Sequence, residues 1–296
     1  MRISTSMSHF ANIFGEEGAI RKLAEIGFDA YDFSMFDIAR GGHPIGGEDY
    51  KAYVKNLRKA ADESGIVCNQ SHAPFPSYLV NNEEYNKHIF PYLVRAIEVT
   101  GMLSGDSVVI HPAVFPGHKI GGDSAVWETN MEFYNNLLPY AKDNNVKIAV
   151  ENMFNWYEGD ATASPATCSS PEEFVRYMDA LDPNYFIALL DIGHSEMENT
   201  GGRSAAEMIR ALGSHLKALH VHDNDKVHDR HTLPFTQKIN WDEVMTALKE
   251  IGYNGDFTFE AEQFIMQFPD ELAVSAAKMM LDVGRYLVDK YELGKK

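Results

Sequence analysis

Six residues able to ligate a cation or move a proton each close a short apolar stretch: His72, His111, Glu151, Asp191, His220 and Glu260. Glu151 follows Ile-Ala-Val and Asp191 follows Ala-Leu-Leu, contexts that otherwise read as core. Any one of them alone is more often a capping or hydrogen-bonded residue. Six together are hard to bury separately, because an ionised group taken unpaired out of water is strongly penalised. A bound cation satisfies them jointly. Carboxylates with imidazole suit Mn²⁺ first, and Mg²⁺, Co²⁺ or Zn²⁺ as alternatives; without thiolates in the set, soft-metal chemistry drops out.

Residues so far apart in the chain meet only if their elements converge at one end. The pattern predicts strands over 2–6, 28–33, 66–71, 106–110, 146–150, 186–190, 216–219 and 257–259. Helices are expected over 18–26, 48–64, 83–102, 125–144, 170–181, 205–212, 241–251 and 270–291. Gly27 and Gly252 stand where two of these helices should stop, and Pro171 stands near the first turn of another. Strict alternation of strand and helix implies a parallel sheet, and eight units imply a closed TIM-type (β/α)₈ barrel, one domain over residues 1–296. All six residues then lie at strand ends on the C-terminal face, where such barrels do their chemistry.

With 45% hydrophobic residues the chain can bury a large core. Its net charge of -17 opposes nucleic acid and anionic membrane surfaces, which attract basic patches. Cys68 and Cys168 are the only cysteines and form no CxxC pair, which argues against a disulfide framework. No apolar run approaches membrane-spanning length. The expectation is a cytoplasmic protein, with a homo-oligomer left open.

The motifs extend the pattern. Ser71-His72-Ala73-Pro74, Ile110-His111-Pro112, Val150-Glu151-Asn152 and Leu190-Asp191-Ile192-Gly193-His194 are followed by His220-Val221-His222-Asp223. Then come Asp229-Arg230-His231-Thr232-Leu233-Pro234, Ile239-Asn240-Trp241 and Phe259-Glu260. In this order the chain resembles the xylose isomerase-like superfamily, in its sugar phosphate isomerase/epimerase branch, which also contains endonuclease IV. The resemblance to ketose 3-epimerases implies a catalytic metal on Glu151, Asp191, His220 and Glu260. It implies substrate contacts from His194 and His231, with Glu151 and Glu260 exchanging roles as base and acid. The resemblance to endonuclease IV adds His72, His111, His194, Asp229 and His231 as candidates for further metal positions.

His222 faces the same way as His220 along the strand and is either a donor behind a ligand or an alternative ligand; the resemblance favours His220. Asp32 falls where the family often has an acidic residue on the pocket floor, and His118 and His228 read as surface residues. The loop after Pro234 reads Phe235-Thr236-Gln237-Lys238, without the glycines usual there. The bulky run after Glu151 suggests Trp156 and Glu158 as substrate contacts, Trp156 covering an apolar face.

The implied activity is metal-dependent isomerisation or epimerisation of a carbohydrate, by proton transfer next to a carbonyl through an enediolate. A lyase acting on a keto sugar or inosose shares that step. An endonuclease IV-like phosphodiesterase and a non-catalytic sugar-binding barrel are the other classes weighed.

Overall fold

The computed structural model describes residues 1–115, 124–156, 163–201 and 203–294. Eight strands form one parallel sheet: β1 Ile3–Ser6, β2 Ala30–Ser34, β3 Val67–His72, β4 Ser107–Val109, β5 Lys147–Glu151, β6 Phe186–Asp191, β7 Leu216–His220 and β8 Phe257–Phe259. Each pairs with its sequence neighbour, and β1 also pairs with β8. The last seam, β7 to β8, is held by a parallel bridge between Val221 and Phe259. There the Val221 N–H donates to the Thr258 carbonyl at 2.9 Å, and the Glu260 N–H to the Val221 carbonyl at 3.2 Å.

The helices are α1 Ser8–Ile26, α2 Tyr50–Ser64, α3 Glu83–Met102, α4 Ser124–Asn144, α5 Pro171–Ala180, α6 Ala205–Leu212, α7 Trp241–Glu250 and α8 Ala273–Tyr291. Several differences from the sequence reading have physical causes. Helix α1 starts at Ser8 rather than at residue 18, because Gly15 interrupts it with φ 71° and ψ 164°, a conformation open to glycine that breaks the periodicity. The final helix begins at Ala273 after a 3₁₀ turn over Asp270–Leu272. Two short helices, Ile192–Glu196 and Glu262–Ile265, and a hairpin of Phe154–Asn155 with Ser164–Pro165, interrupt the strict alternation. They are too short to leave a period.

Alternation along the strands explains where polar groups emerge. Val108, Ile148, Val150, Ala188, Leu190, Phe257 and Phe259 join the layer packed under the helices. Val109, Ala149, Ile187, Leu189 and Ala218 form a separate buried cluster inside the barrel. Residues two apart face the same way, so the next inward positions above that plug are Glu151 on β5, Asp191 on β6 and His220 on β7. The apolar plug thus serves as the floor of a polar site. No described helix is long and apolar enough to cross a membrane.

Candidate metal centre

Besides Asp32, His72 and His220, the upper mouth gathers three further groups of ligand-type atoms. Glu151, Asp191, His220 and Glu260 each offer an atom within 4.8 Å of the others. His72 and His111 meet the same Glu151, and His194, His222, Asp229 and His231 form a group beside Asp191. Apart from Glu158, every candidate site residue named from sequence therefore stands at this mouth or on its rim. Glu158 and His118 lie outside the described residues.

At the centre, His220 Nδ1 lies 3.1 Å from Glu151 Oε1, 3.3 Å from Glu260 Oε2 and 3.8 Å from Asp191 Oδ2. His111 Nε2 approaches Glu151 Oε2 at 3.1 Å, and His72 Nε2 is 3.6 Å from Glu260 Oε1. In the third group His231 Nε2 contacts Asp229 Oδ2 at 2.7 Å. His194 Nε2 and His222 Nε2 each stand 3.5 Å from an oxygen of Asp229.

Outer contacts hold these rings. Asp32, buried in the barrel, lies 3.0 Å from His72 Nδ1, leaving Nε2 toward the centre. The Gln70 amide is 2.9 Å from both Asp32 and His220 Nε2. Asn152 pins the end of β6, donating to the Asp191 carbonyl and accepting from its N–H. Asp191 in turn accepts from the His194 N–H at 2.7 Å and from the His222 ring. Such carboxylate–histidine pairs fix which ring nitrogen is free to bind. Asp32 thus stands buried against His72, and His222 is tied to the candidate site through Asp191. The residue types gave no sign of Gln70's role; only the pairing of β2 with β3, irregular between Tyr31 and Asp32, brings its amide beside Asp32.

The arrangement fits a cation. Buried side-chain atoms without a hydrogen-bond partner include His72 Nε2, His111 Nδ1, Glu151 Oε2, His222 Nδ1 and Asp229 Oδ1, all belonging to these groups. Glu151 Oε2 is close to His111, yet the two are misaligned for a hydrogen bond. Native interiors rarely leave so many polar atoms unpaired in one place. A divalent ion would satisfy the oxygens and nitrogens together.

Charge coupling polarises the site. Burial works to raise the Glu151 carboxyl, but the His220 and His111 rings outweigh it and hold Glu151 well below 4.5. Glu260 moves the other way, pushed above 4.5 chiefly by burial. Burial disfavours a charged His220, yet Glu260 and Glu151 lift it to about 10. Burial likewise opposes the charged rings of His72, His194 and His231, and Asp32, Asp191 and Asp229 respectively lift each of them.

A His220 value near 10, against an ordinary 6.5, means the fold holds this proton more tightly than the unfolded chain does. That stabilisation is complete below pH 6.5 and drains away as pH rises through 10. Chelator-treated protein should therefore melt several degrees lower at pH 9.5 than at pH 6.5, at roughly 2–4 °C per kcal/mol lost. His220→Gln should reduce the slope, the remainder coming from His72, His194 and His231, which are raised in the same direction; an equal slope in both proteins, followed by calorimetry, would remove His220 as a source.

Aromatic rings border the mouth. Phe36 lies 5.1 Å from the His72 ring, Phe75 packs edge-on to His111 at 4.9 Å, and Phe154 does the same to His194. Trp156 is 45% exposed and lies parallel to His228 at 6.1 Å, and His228 is itself exposed, as expected of a surface residue. A cavity of about 620 Å³ opens at the opposite end of the barrel between Arg2, Lys147 and Lys217 and includes none of the candidate ligands. That face of such barrels serves stability.

Comparison with known proteins agrees with this architecture. The family model described as a xylose isomerase-like TIM barrel matches residues 20–282. The uncharacterized protein MJ1311 of Methanocaldococcus jannaschii is 29% identical over 248 residues, 82% of this chain and 78% of its own. The D-psicose 3-epimerase of Ruminiclostridium cellulolyticum is 25% identical over 252 residues, 81% and 76% of the two chains. A solved D-tagatose 3-epimerase-like protein superposes with a TM-score of 0.73 at 24% identity, over 98% of this chain and 99% of that one.

Proposed function

We propose that this chain, which belongs to the xylose isomerase-like TIM barrel family, is a metal-dependent sugar isomerase or epimerase working through an enediolate. The observation that carries the reading is the pair Glu151 and Glu260, at the ends of separate strands, with carboxylate oxygens 3.1 Å and 3.3 Å from the same ring nitrogen of His220. Two carboxylates facing one site can divide the work of base and acid. Glu151 takes the proton from the carbon next to the carbonyl. Glu260 returns one to the other face or to the neighbouring carbon. The family's sugar isomerases and epimerases, and the D-psicose 3-epimerase relative, support a carbohydrate substrate.

Glu151, Asp191, His220 and Glu260 would hold a divalent cation, Mn²⁺ being the first to try, and it would supply Lewis-acid stabilisation of the charge developing on the carbonyl oxygen. His194 and His231 stand at the rim, where their rings reach substrate hydroxyls. Phe36, Phe75, Phe154 and Trp156 offer apolar surface to the ring of a sugar and keep water from the reacting carbon.

The test is incubation with Mn²⁺ in D₂O against D-psicose, D-tagatose, D-fructose, inososes and 3-keto glycosides, followed by mass spectrometry and product identification. Deuterium should enter at the carbon beside the carbonyl, and the product separates epimerase from isomerase from lyase. No exchange with any of them would end the proposal.

A second reading rests on the two flanking groups, His72/His111/Glu151 and His194/His222/Asp229/His231, which favour a site for several cations and phosphodiester cleavage of the endonuclease IV kind. The net charge of -17 opposes a DNA substrate. Metal analysis close to three per chain with cleavage of abasic duplex would favour it; deuterium exchange on a sugar without cleavage would dismiss it.

A further inference from the structure

The start of α1 and the segment after β2 enclose a cleft of about 380 Å³, within the roughly 300–1,000 Å³ that small-molecule sites occupy. It shares a wall with the candidate metal centre. Ser34, on that wall, pairs in register with His72, and the Met35 N–H donates to the His72 carbonyl at 2.9 Å. Phe36 lines the cleft while its ring lies 5.1 Å from that of His72. Met7, Met35 and Ile38 are buried and give the cleft an apolar floor. Around them stand Asn12, Glu16, Asp37, His43 and Tyr53. Gly15, where α1 is interrupted, completes the side, and a methyl group there would meet nothing within 4 Å.

Glu16 is the most firmly held of these polar groups. The Tyr53 hydroxyl donates to its Oε2 at 2.5 Å. The Ile45 N–H donates to His43 Nδ1, so His43 Nε2 carries a proton and faces Glu16 Oε1 at 3.2 Å. A carboxylate offers about four acceptor positions, so both oxygens keep capacity for a further donor. No lysine or arginine lines the cleft, and Asp37 is already paired with Arg40, which disfavours a phosphate or other anion there. Fixed acceptors above an apolar floor, with an aromatic ring at the edge, suit a neutral ring that carries hydroxyl donors and has apolar faces. That is the chemistry of a sugar. Resting on the enolising function proposed above, we propose that this cleft is the subsite for a second sugar unit. The sugar enolised at the metal centre is then the keto ring of a neutral glycoside rather than a free ketose. Phe36 borders both positions, and Asn12 and Glu16 accept from hydroxyls of the second ring. Binding energy realised there, away from the reacting carbon, holds the keto ring in place.

Deuterium exchange on the Mn²⁺-loaded full chain tests this with 3-keto-maltose and 3-keto-cellobiose against the methyl 3-keto-α- and β-glucosides, which lack the second ring. Wild-type kcat/KM should favour at least one disaccharide over its methyl counterpart by roughly tenfold or more, the effect of a hydrogen bond or two to a charged group. Asn12→Trp, at an exposed position, fills the cleft and should bring that ratio near one. Glu16→Gln keeps the shape and should lower the ratio severalfold. Saturation-transfer NMR reads binding of the same probes without turnover. A wild-type ratio of one, or exchange confined to free ketoses, overturns the subsite. A high ratio untouched by both variants overturns its placement in this cleft. Disaccharide binding that Asn12→Trp removes, with no exchange on any substrate, upholds the cleft and ends the enolising reading instead. Neither binding nor exchange with the disaccharides overturns the subsite.

Discussion

Glu151→Gln should abolish exchange of the carbon-bound substrate proton with solvent, by roughly a thousandfold or more, the upper range for loss of a general base. The residue stands at the junction of two ligand groups, its Oε1 facing His220 and its Oε2 facing His111. Glutamine keeps the shape and one carbonyl oxygen but loses the charge. It can neither accept the proton nor balance the rings that hold Glu151 ionised. Metal affinity should fall as well, because the His72/His111/Glu151 group loses its one carboxylate and the Glu151/Asp191/His220/Glu260 group loses one of three. Glu260→Gln should spare the His72/His111/Glu151 group, to which Glu260 does not belong. Deuterium incorporation, metal content and a thermal melt separate the effects. Wild-type exchange in folded Glu151→Gln would remove the residue from the chemistry.

The position of the candidate site was legible because strand periodicity and residue type coincide at Glu151, Asp191 and His220. Each follows an inward apolar residue by two positions, so a register error of one would have put the charge under the helices. Contacts across strands were not legible. Glu151 pairs in register with Leu189, whereas Asp191 pairs with His220, so the ligands meet through the stagger of the barrel rather than through simple adjacency. The link between Asp32 and His72 depends on the irregular register between β2 and β3. Local elements escaped for a related reason: the start of α1 was hidden by Gly15, and two-residue strands carry no period.

The same staggering lets the candidate ligand groups share residues. Glu151 is shared by two groups, and Asp191 touches His220 on one side and His222 on the other. Removing His111 should therefore leave the Glu151/Asp191/His220/Glu260 set whole, while any change at Asp191 disturbs two sets together. On the two readings proposed, the boundary between a sugar enzyme and a multi-metal hydrolase would lie in occupancy of the flanking groups rather than in the barrel itself, since one fold serves many chemistries.

Gly193→Ala should disturb the candidate site without removing a ligand-type side chain. A methyl group there would lie 1.9 Å from His222 Cε1, 2.4 Å from Nε2 and 2.6 Å from Nδ1, far inside contact distance. The His222 ring cannot swing away cheaply. It is fully buried, stacked on His231 at 4.1 Å and in contact with Asp191 through Nε2. The backbone cannot yield easily either, because Asn224 donates to the Gly193 carbonyl at 2.8 Å and Asp191 caps the short helix that begins at Ile192. Overpacking of this kind destabilises by about 1–3 kcal/mol. Through the displaced ring it should also weaken metal binding by roughly 10- to 100-fold, as loss of an outer-shell partner does. Adding His222→Ala opens the space, so the double variant should recover stability relative to the sum of the single losses. Additive losses in that cycle, or a Gly193→Ala protein as stable as wild type, would mean the close approach of Gly193 to His222 does not hold the site.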